Sequence, residues 1–177
     1  MMKRPFYICL MLLSLLASCQ FASFTARPGV PVTAYPQDMY GTYRHIDEHD
    51  GIKDTHVLTV NEKGAVIDND NIIGGLVDLT DTNNSISHLG DFYYLNVKVT
   101  DSTGRSVWFV YPFEYDQKHL YIYKLLLNKK SLKRMKRAGL KPSGLRNGEY
   151  LMNDEAFKHY CEKHMRRKEA LKFIRIK

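Results

Sequence analysis

The chain has 177 residues and a formal net charge of +7; 44% of its residues are apolar and 12% aromatic, among them twelve tyrosines and eight phenylalanines. That length fits one domain with a short extension and suffices for a substantial core. Three cysteines are too few for a disulfide framework, and the aromatic content favours strands over helices. Charge is split along the chain. Residues 20–128 carry eight Lys or Arg against fourteen Asp or Glu, a net of −6; residues 129–177 carry sixteen against five, a net of +11. Such asymmetry points to a partner or a surface, unless two solvated faces neutralise each other across the fold.

Lys3 and Arg4 lie near the start, and residues 6–17 follow as an apolar run in which Ser14 is the only aliphatic hydroxyl. The run is about twelve residues, short of the roughly 20 that span a bilayer. A positive start, a short apolar stretch and the small residues Ala17 and Ser18 predict a secretory signal. Leu16-Ala17-Ser18-Cys19 resembles the lipobox of bacterial lipoproteins. The resemblance implies cleavage between Ser18 and Cys19, with a diacylglycerol on the Cys19 sulfur, where the thiolate is the nucleophile. It also implies two or three fatty-acyl chains such as palmitate, enough for firm anchoring at about 0.8 kcal/mol per buried methylene. This covalent lipid is the one attached group expected, with no other cofactor. Gln20 after the cysteine, by resemblance to enteric lipoproteins, implies the outer membrane of the cell envelope. Cys9 departs with the signal, and Cys161, left without a partner, is expected to be buried.

Residues 20–36, rich in Ala, Ser and Thr with Pro28, Pro31 and Pro36, read as a flexible tether between the lipidated cysteine and a β-rich domain over 38–177. At about 3.3–3.6 Å per residue it would reach as far as ~60 Å from the bilayer. Strands are expected at 40–46, 54–61, 64–69 and 76–81, the second and third forming a hairpin turned at Asn61-Glu62-Lys63-Gly64. Residues 83–87 read as turn-rich. Period-two alternation then predicts strands at 92–100, 106–115 and 119–126. The turns between them are short, which requires antiparallel meander pairing. Pro112 cannot donate to a ladder, so its strand should be an edge, bulged or broken there.

The period changes at Lys129. Residues 129–138 predict a helix with Leu132 and Met135 on one side, ringed by Lys129, Lys130, Lys133, Arg134, Lys136 and Arg137, and stopped by Gly139. Residues 141–148 read as a loop. Asn153 is a natural N-cap for a second helix with Asp154 and Glu155 in its first turn and Phe157, Tyr160, Cys161, His164 and Met165 as its apolar stripe. Residues 171–176 alternate as a closing strand. The expected fold class is mainly β (α+β): an antiparallel barrel-like or strongly curved meander sheet with two late helices.

Met39-Tyr40-Gly41-Thr42-Tyr43, His56-Val57-Leu58-Thr59-Val60 and Gly64 together resemble the opening of small lipocalin-like lipoproteins. Residues 106–123 and Asp154-Glu155-Ala156-Phe157 resemble uncharacterised lipoproteins of Bacteroidota in the same style. The resemblance implies fold and anchoring and brings no catalytic residues.

Several clusters contain chemistry-bearing residues. His45, Asp47, Glu48, His49 and Asp50 lie together, and Asp68-Asn69-Asp70-Asn71 forms a second polar knot. Both lack a glycine and a distal glutamate at the spacing a calcium loop needs, so solvated turns, not metal sites, are expected. Cys161 and His164 share a helix face that His159 leaves, and two ligands do not make a zinc site. No nucleophile elbow, zinc-protease, phosphate-loop or dinucleotide motif occurs. The expected function is therefore a non-enzymatic, membrane-anchored envelope protein whose β domain binds a small ligand or a protein partner, with Tyr93, Tyr111, Tyr121 and Tyr123 as candidate pocket or core residues. The alternative is docking of the basic helix on an anionic lipid, lipopolysaccharide or acidic-protein surface, where each charge is worth about 1 kcal/mol. A soluble helix packing Leu132 and Met135 on the sheet would account for the same pattern. Nucleic acid is not an expected partner in that compartment. A hydrolase would need a converging nucleophile, base and oxyanion pocket.

Overall fold

Period-two alternation and short turns build the molecule. The structure is a computed structural model that describes residues 21–49, 52–67 and 77–177. The segment expected to be an export signal, with Ser18 and Cys19, lies outside the described residues, as do Asp50 and the knot Asp68-Asn69-Asp70-Asn71. In chain order the strands are Ser23–Phe24 (β1), Val30–Val32 (β2), Gly41–His49 (β3), Ile52–Asn61 (β4), Gly64–Ile67 (β5), Val77–Asp78 (β6), Asn84–Leu89 (β7), Phe92–Thr100 (β8), Ser106–Tyr115 (β9), His119–Ile122 (β10), Glu149–Tyr150 (β11) and Leu171–Arg175 (β12). The helices are Lys129–Arg137 (α1) and Asp154–His164 (α2).

The fold is mainly β, an antiparallel sheet curled into a half-barrel. Its strands run β2-β7-β8-β9-β10-β12-β3-β4-β5-β6. The C-terminal strand β12 joins two meanders, pairing with β10 on one side and β3 on the other. Off this path, β1 pairs antiparallel with β9 and parallel with β11.

Alternation sends side chains to two cores, one on each face of the sheet. The concave face buries Tyr43, Leu58, Val60, Ile86, Leu95, Phe113, Leu120, Ile122 and Phe173, with Tyr35 and Met39 packed among them. The convex face of β8, β9 and β10 buries Tyr94, Val110, Tyr121 and Tyr123 beneath Met135 of α1 and Phe157, Tyr160 and Cys161 of α2. Asn128 caps α1 by accepting from the Ser131 amide at 2.9 Å, and Asn153 caps α2 by accepting from the Ala156 amide at 2.9 Å. Gly139, at φ +93°, ends the first helix.

Three expectations are corrected. Residues 21–36 are not a free tether. Ala22, Phe24 and Tyr35 are buried, β1 and β2 join the sheet, and the Phe24 ring lies 5.0 Å from Phe157. The prolines suit an extended path, but that path runs over the sheet because three apolar side chains find core positions. Residues 84–89 form a strand rather than a turn: Ile86 faces the concave core, and buried Ser87 accepts from Asn96 Nδ2 at 3.0 Å, while the Ser85 hydroxyl has no hydrogen-bond partner. At Pro112 neither the edge nor the bulge is found, and the break is confined to one side, where the β9–β10 ladder ends at Ile122↔Phe113. The β8–β9 register is continuous from Thr100↔Ser106 to Tyr93↔Phe113. Pro112 O accepts from Tyr123 N at 2.9 Å, so its ring nitrogen points to that same side, at the fork where β9 exchanges β1 for β10. No ladder donor is required at the fork. The same fork shortens β10, because β1 occupies the neighbouring place along β9 and the chain turns away after Ile122.

Candidate functional site

Several cations of the basic helix have no acidic partner among the described residues. On α1, Met135 is fully buried and Leu132 remains 39% exposed. Lys129, Lys130, Lys133, Lys136 and Arg137 are exposed, and Arg134 is half-buried. Glu169, in a short turn after α2, lies 3.7 Å from Arg134 and 4.0 Å from Lys130, so these two cations are partly neutralised. Among the described residues Lys129, Lys133, Lys136 and Arg137 have no acidic partner. At 100° per residue, Leu132, Lys136, Lys129 and Lys133 occupy an arc of about 100° on the side away from Glu169. Next to it a shallow recess of about 530 Å³ is lined by Leu132, Leu140, Pro142 and Tyr150 and flanked by Lys136 and Lys141. The sequence pattern singled out the helix but not Lys141, which the Leu151 N–H to Lys141 O bond of 2.9 Å helps set beside it.

Elsewhere the basic and acidic halves of the chain do meet. Arg167 donates to Glu114 at 2.8 Å and lies 3.6 Å from Asp116, with its guanidinium 4.7 Å from the Tyr121 ring centroid. Tyr123 donates to the other Glu114 oxygen at 2.5 Å. Burial pushes the Glu114 carboxyl up, but the bonds from Arg167 and Tyr123 outweigh it and hold the group below its usual range. Arg146 pairs with Asp101, whose carboxyl is brought down to about 2, first by the Thr103 hydroxyl and then by backbone amides and Arg146. Neutralisation across the fold therefore accounts for part of the charge asymmetry; cations of α1, and others such as Lys163, Lys168 and Lys172, are left without an acidic partner among the described residues.

The four candidate tyrosines do not line one space. Tyr93 and Tyr111 pack against the concave core, whereas Tyr121 and Tyr123 are buried in the convex core. His45 and His56 face each other across β3 and β4 with ring centroids 6.1 Å apart. His45 Nδ1 is 2.8 Å from Lys172 O, and its ring centroid is 5.2 Å from that of Phe173. His56 is buried and its Nδ1 has no hydrogen-bond partner. The acidic run after His45 continues β3 instead of forming a turn, and Asp47 is exposed there. Cys161 is fully buried, with its thiol pushed up by burial; His159 is exposed, and His164 packs its ring 5.6 Å from that of Tyr160. Among the described residues no group of three His, Cys, Asp or Glu side chains is placed to hold a metal, and no serine or cysteine hydrogen-bonds to a histidine. None of the described helices is long and apolar enough to cross a membrane.

No family model, curated protein or solved structure matches this chain.

Proposed function

We propose that this chain is a lipid-anchored protein of the cell envelope, held through Cys19 in the outer membrane. In this reading its β domain acts without catalysis, by docking the basic face of α1 on an anionic surface. The observation that carries the reading is the row Lys129, Lys133, Lys136 and Arg137. These four exposed cations have no acidic partner among the described residues, on a helix whose other cations are partly neutralised. Like charges crowded on one helix oppose folding unless something outside the domain compensates them. The lipobox pattern supplies the location: a surface charge of about 1 kcal/mol per lysine is useful only to a protein already held near headgroups.

Cells grown with labelled palmitate should incorporate label into the protein, and Cys19→Ala should abolish it. Retention of label by that variant defeats the anchor. Replacing Lys133, Arg134, Lys136 and Arg137 with Gln should weaken sedimentation with phosphatidylglycerol vesicles; unchanged binding defeats the surface reading. One observation favours a small ligand in the half-barrel as a second reading. His56 brings a buried, unpaired Nδ1 to the concave side of the sheet, and a ligand polar group there would satisfy it. A native mass spectrum of the purified protein showing a bound small molecule, lost in His56→Phe, would support it.

A further inference from the structure

The correction to residues 21–36 alters where the domain must sit. Phe21 forms an antiparallel bridge with Leu126, the Ala22 amide donates to Leu125 O at 2.8 Å, and the Ser23 amide donates to Gly148 O at 3.0 Å. Phe21, two residues after Cys19 in the sequence, is therefore already held in the fold. Covalent geometry keeps the Cys19 Cα within about 7 Å of the Phe21 Cα, in place of the ~60 Å that a free seventeen-residue leash would permit. From Leu126 the chain needs only Leu127 and Asn128 to enter α1. Any acyl chains on Cys19 thus draw the bilayer to this end of the molecule.

The surface at this end has the composition of a bilayer contact. Leu132 is 39% and Leu145 68% exposed, whereas Leu126, 43% exposed, turns the other way with its bridge partner Phe21, whose ring packs on Tyr111. The two leucines of the helix side come from segments that the fold binds together. Gly148, at φ +81°, lies so close to Leu127 that a Cβ there would stand 2.2 Å from Leu127 Cδ1, which presses the 143–148 turn against the start of α1. The recess shared by Leu132, Pro142 and Tyr150 joins α1 to the same turn. Leu132 stands among Lys129, Lys133 and Lys136 on α1, and Lys141 lies across the recess from it, all exposed, with no acidic partner among the described residues. Lysines flanking exposed leucines match an interfacial surface, where apolar tips enter the headgroup boundary and long cationic stems reach lipid phosphates.

We infer that this patch lies flat on the anionic headgroups of the bilayer that holds the Cys19 acyl chains, so that the domain is docked in a fixed orientation rather than swinging on a leash. The inference rests on the reading of Cys19 as the lipid-bearing residue. The test uses the acylated mature chain in vesicles of phosphatidylethanolamine and phosphatidylglycerol. A nitrobenzoxadiazole dye is placed on Leu145→Cys, or on Val66→Cys of β5 as the reference, Cys161 being buried. The dye at 145 should shift its emission to the blue and resist quenching by aqueous dithionite, while the dye at 66 does neither. Changing Lys129, Lys133, Lys136 and Lys141 together to Gln should abolish that protection while the acylated mass is retained. Equal quenching at 145 and 66 in an acylated, vesicle-bound chain overturns the docked orientation and leaves the anchor standing. A mature chain whose mass shows no acyl group overturns both.

Discussion

Glu149 is 1% exposed and receives Arg105 on both carboxylate oxygens at 2.5 Å, while Arg105 keeps 31% of its side chain in solvent. The two ends of this pair are therefore unequal. Arg105→Ala strands a buried carboxylate and is expected to cost about 3–5 kcal/mol. Glu149→Gln leaves an arginine that can reach water and a side chain that still accepts hydrogen bonds, so about 1–2 kcal/mol is expected. Urea unfolding of the two variants checks the order; equal losses would show that Arg105 is not Glu149's principal partner. Cys161 offers a second residue-scale prediction. Burial raises its thiol far above the usual range, so in a Cys19→Ser chain it should ignore thiol reagents at pH 8 until denaturant is added. The burial of Cys161 follows from its place in an apolar stripe of period 3.6. The Arg105–Glu149 pair is 44 residues apart in sequence and leaves no local signal.

Among the elements, the turn between α2 and β12 is held by Arg167 on Glu114 and Asp116 of the β9–β10 hairpin region. Glu114 has a folded-state carboxyl below its unfolded value, as does Asp116 through the backbone amides of Lys118 and His119. Their contribution is complete above the unfolded carboxylate values of about 4 and disappears as pH falls through the folded ones. Stability should therefore decline on acidification below about pH 4, and Arg167→Ala should flatten that decline. A pH series of urea midpoints that is identical in the variant would rule the network out as its cause. The helix ends obey simpler rules. Asn153→Ala should cost about 1 kcal/mol by freeing the Ala156 amide. Caps, the Gly139 stop and the β4–β5 turn are legible in sequence because they depend on neighbours a few residues away. The strand β7 is not, because its buried Ser87 is satisfied by Asn96 on the next strand.

Across the whole molecule, one sheet carries a core on each face, and the N-terminal segment serves both: Phe24 packs under α2 while Tyr35 enters the half-barrel. Phe24→Ala is expected to destabilise the protein by about 3–5 kcal/mol, the cost of emptying a large buried site. A change within about 0.5 kcal/mol, the usual effect at a surface position, would restore the tether. The basic face belongs to this scale too. Its lysines are plain in the sequence. Their role depends on which acids the fold brings near them: Glu169 reaches Lys130 and Arg134, whereas Asp101, Glu114 and Asp116 are occupied elsewhere.

From the sequence alone came the β-rich class, the three central strands, both capped helices and the last strand, because period, capping and turn chemistry act over a few residues. Only the tertiary structure decided that residues 21–36 belong to the fold, that β12 joins two meanders, that the four tyrosines divide between two cores, and which cations stay unpaired. Each of these depends on contacts between residues far apart in the chain, where the free energy of burying an apolar group or pairing a charge is set by neighbours that no local pattern records.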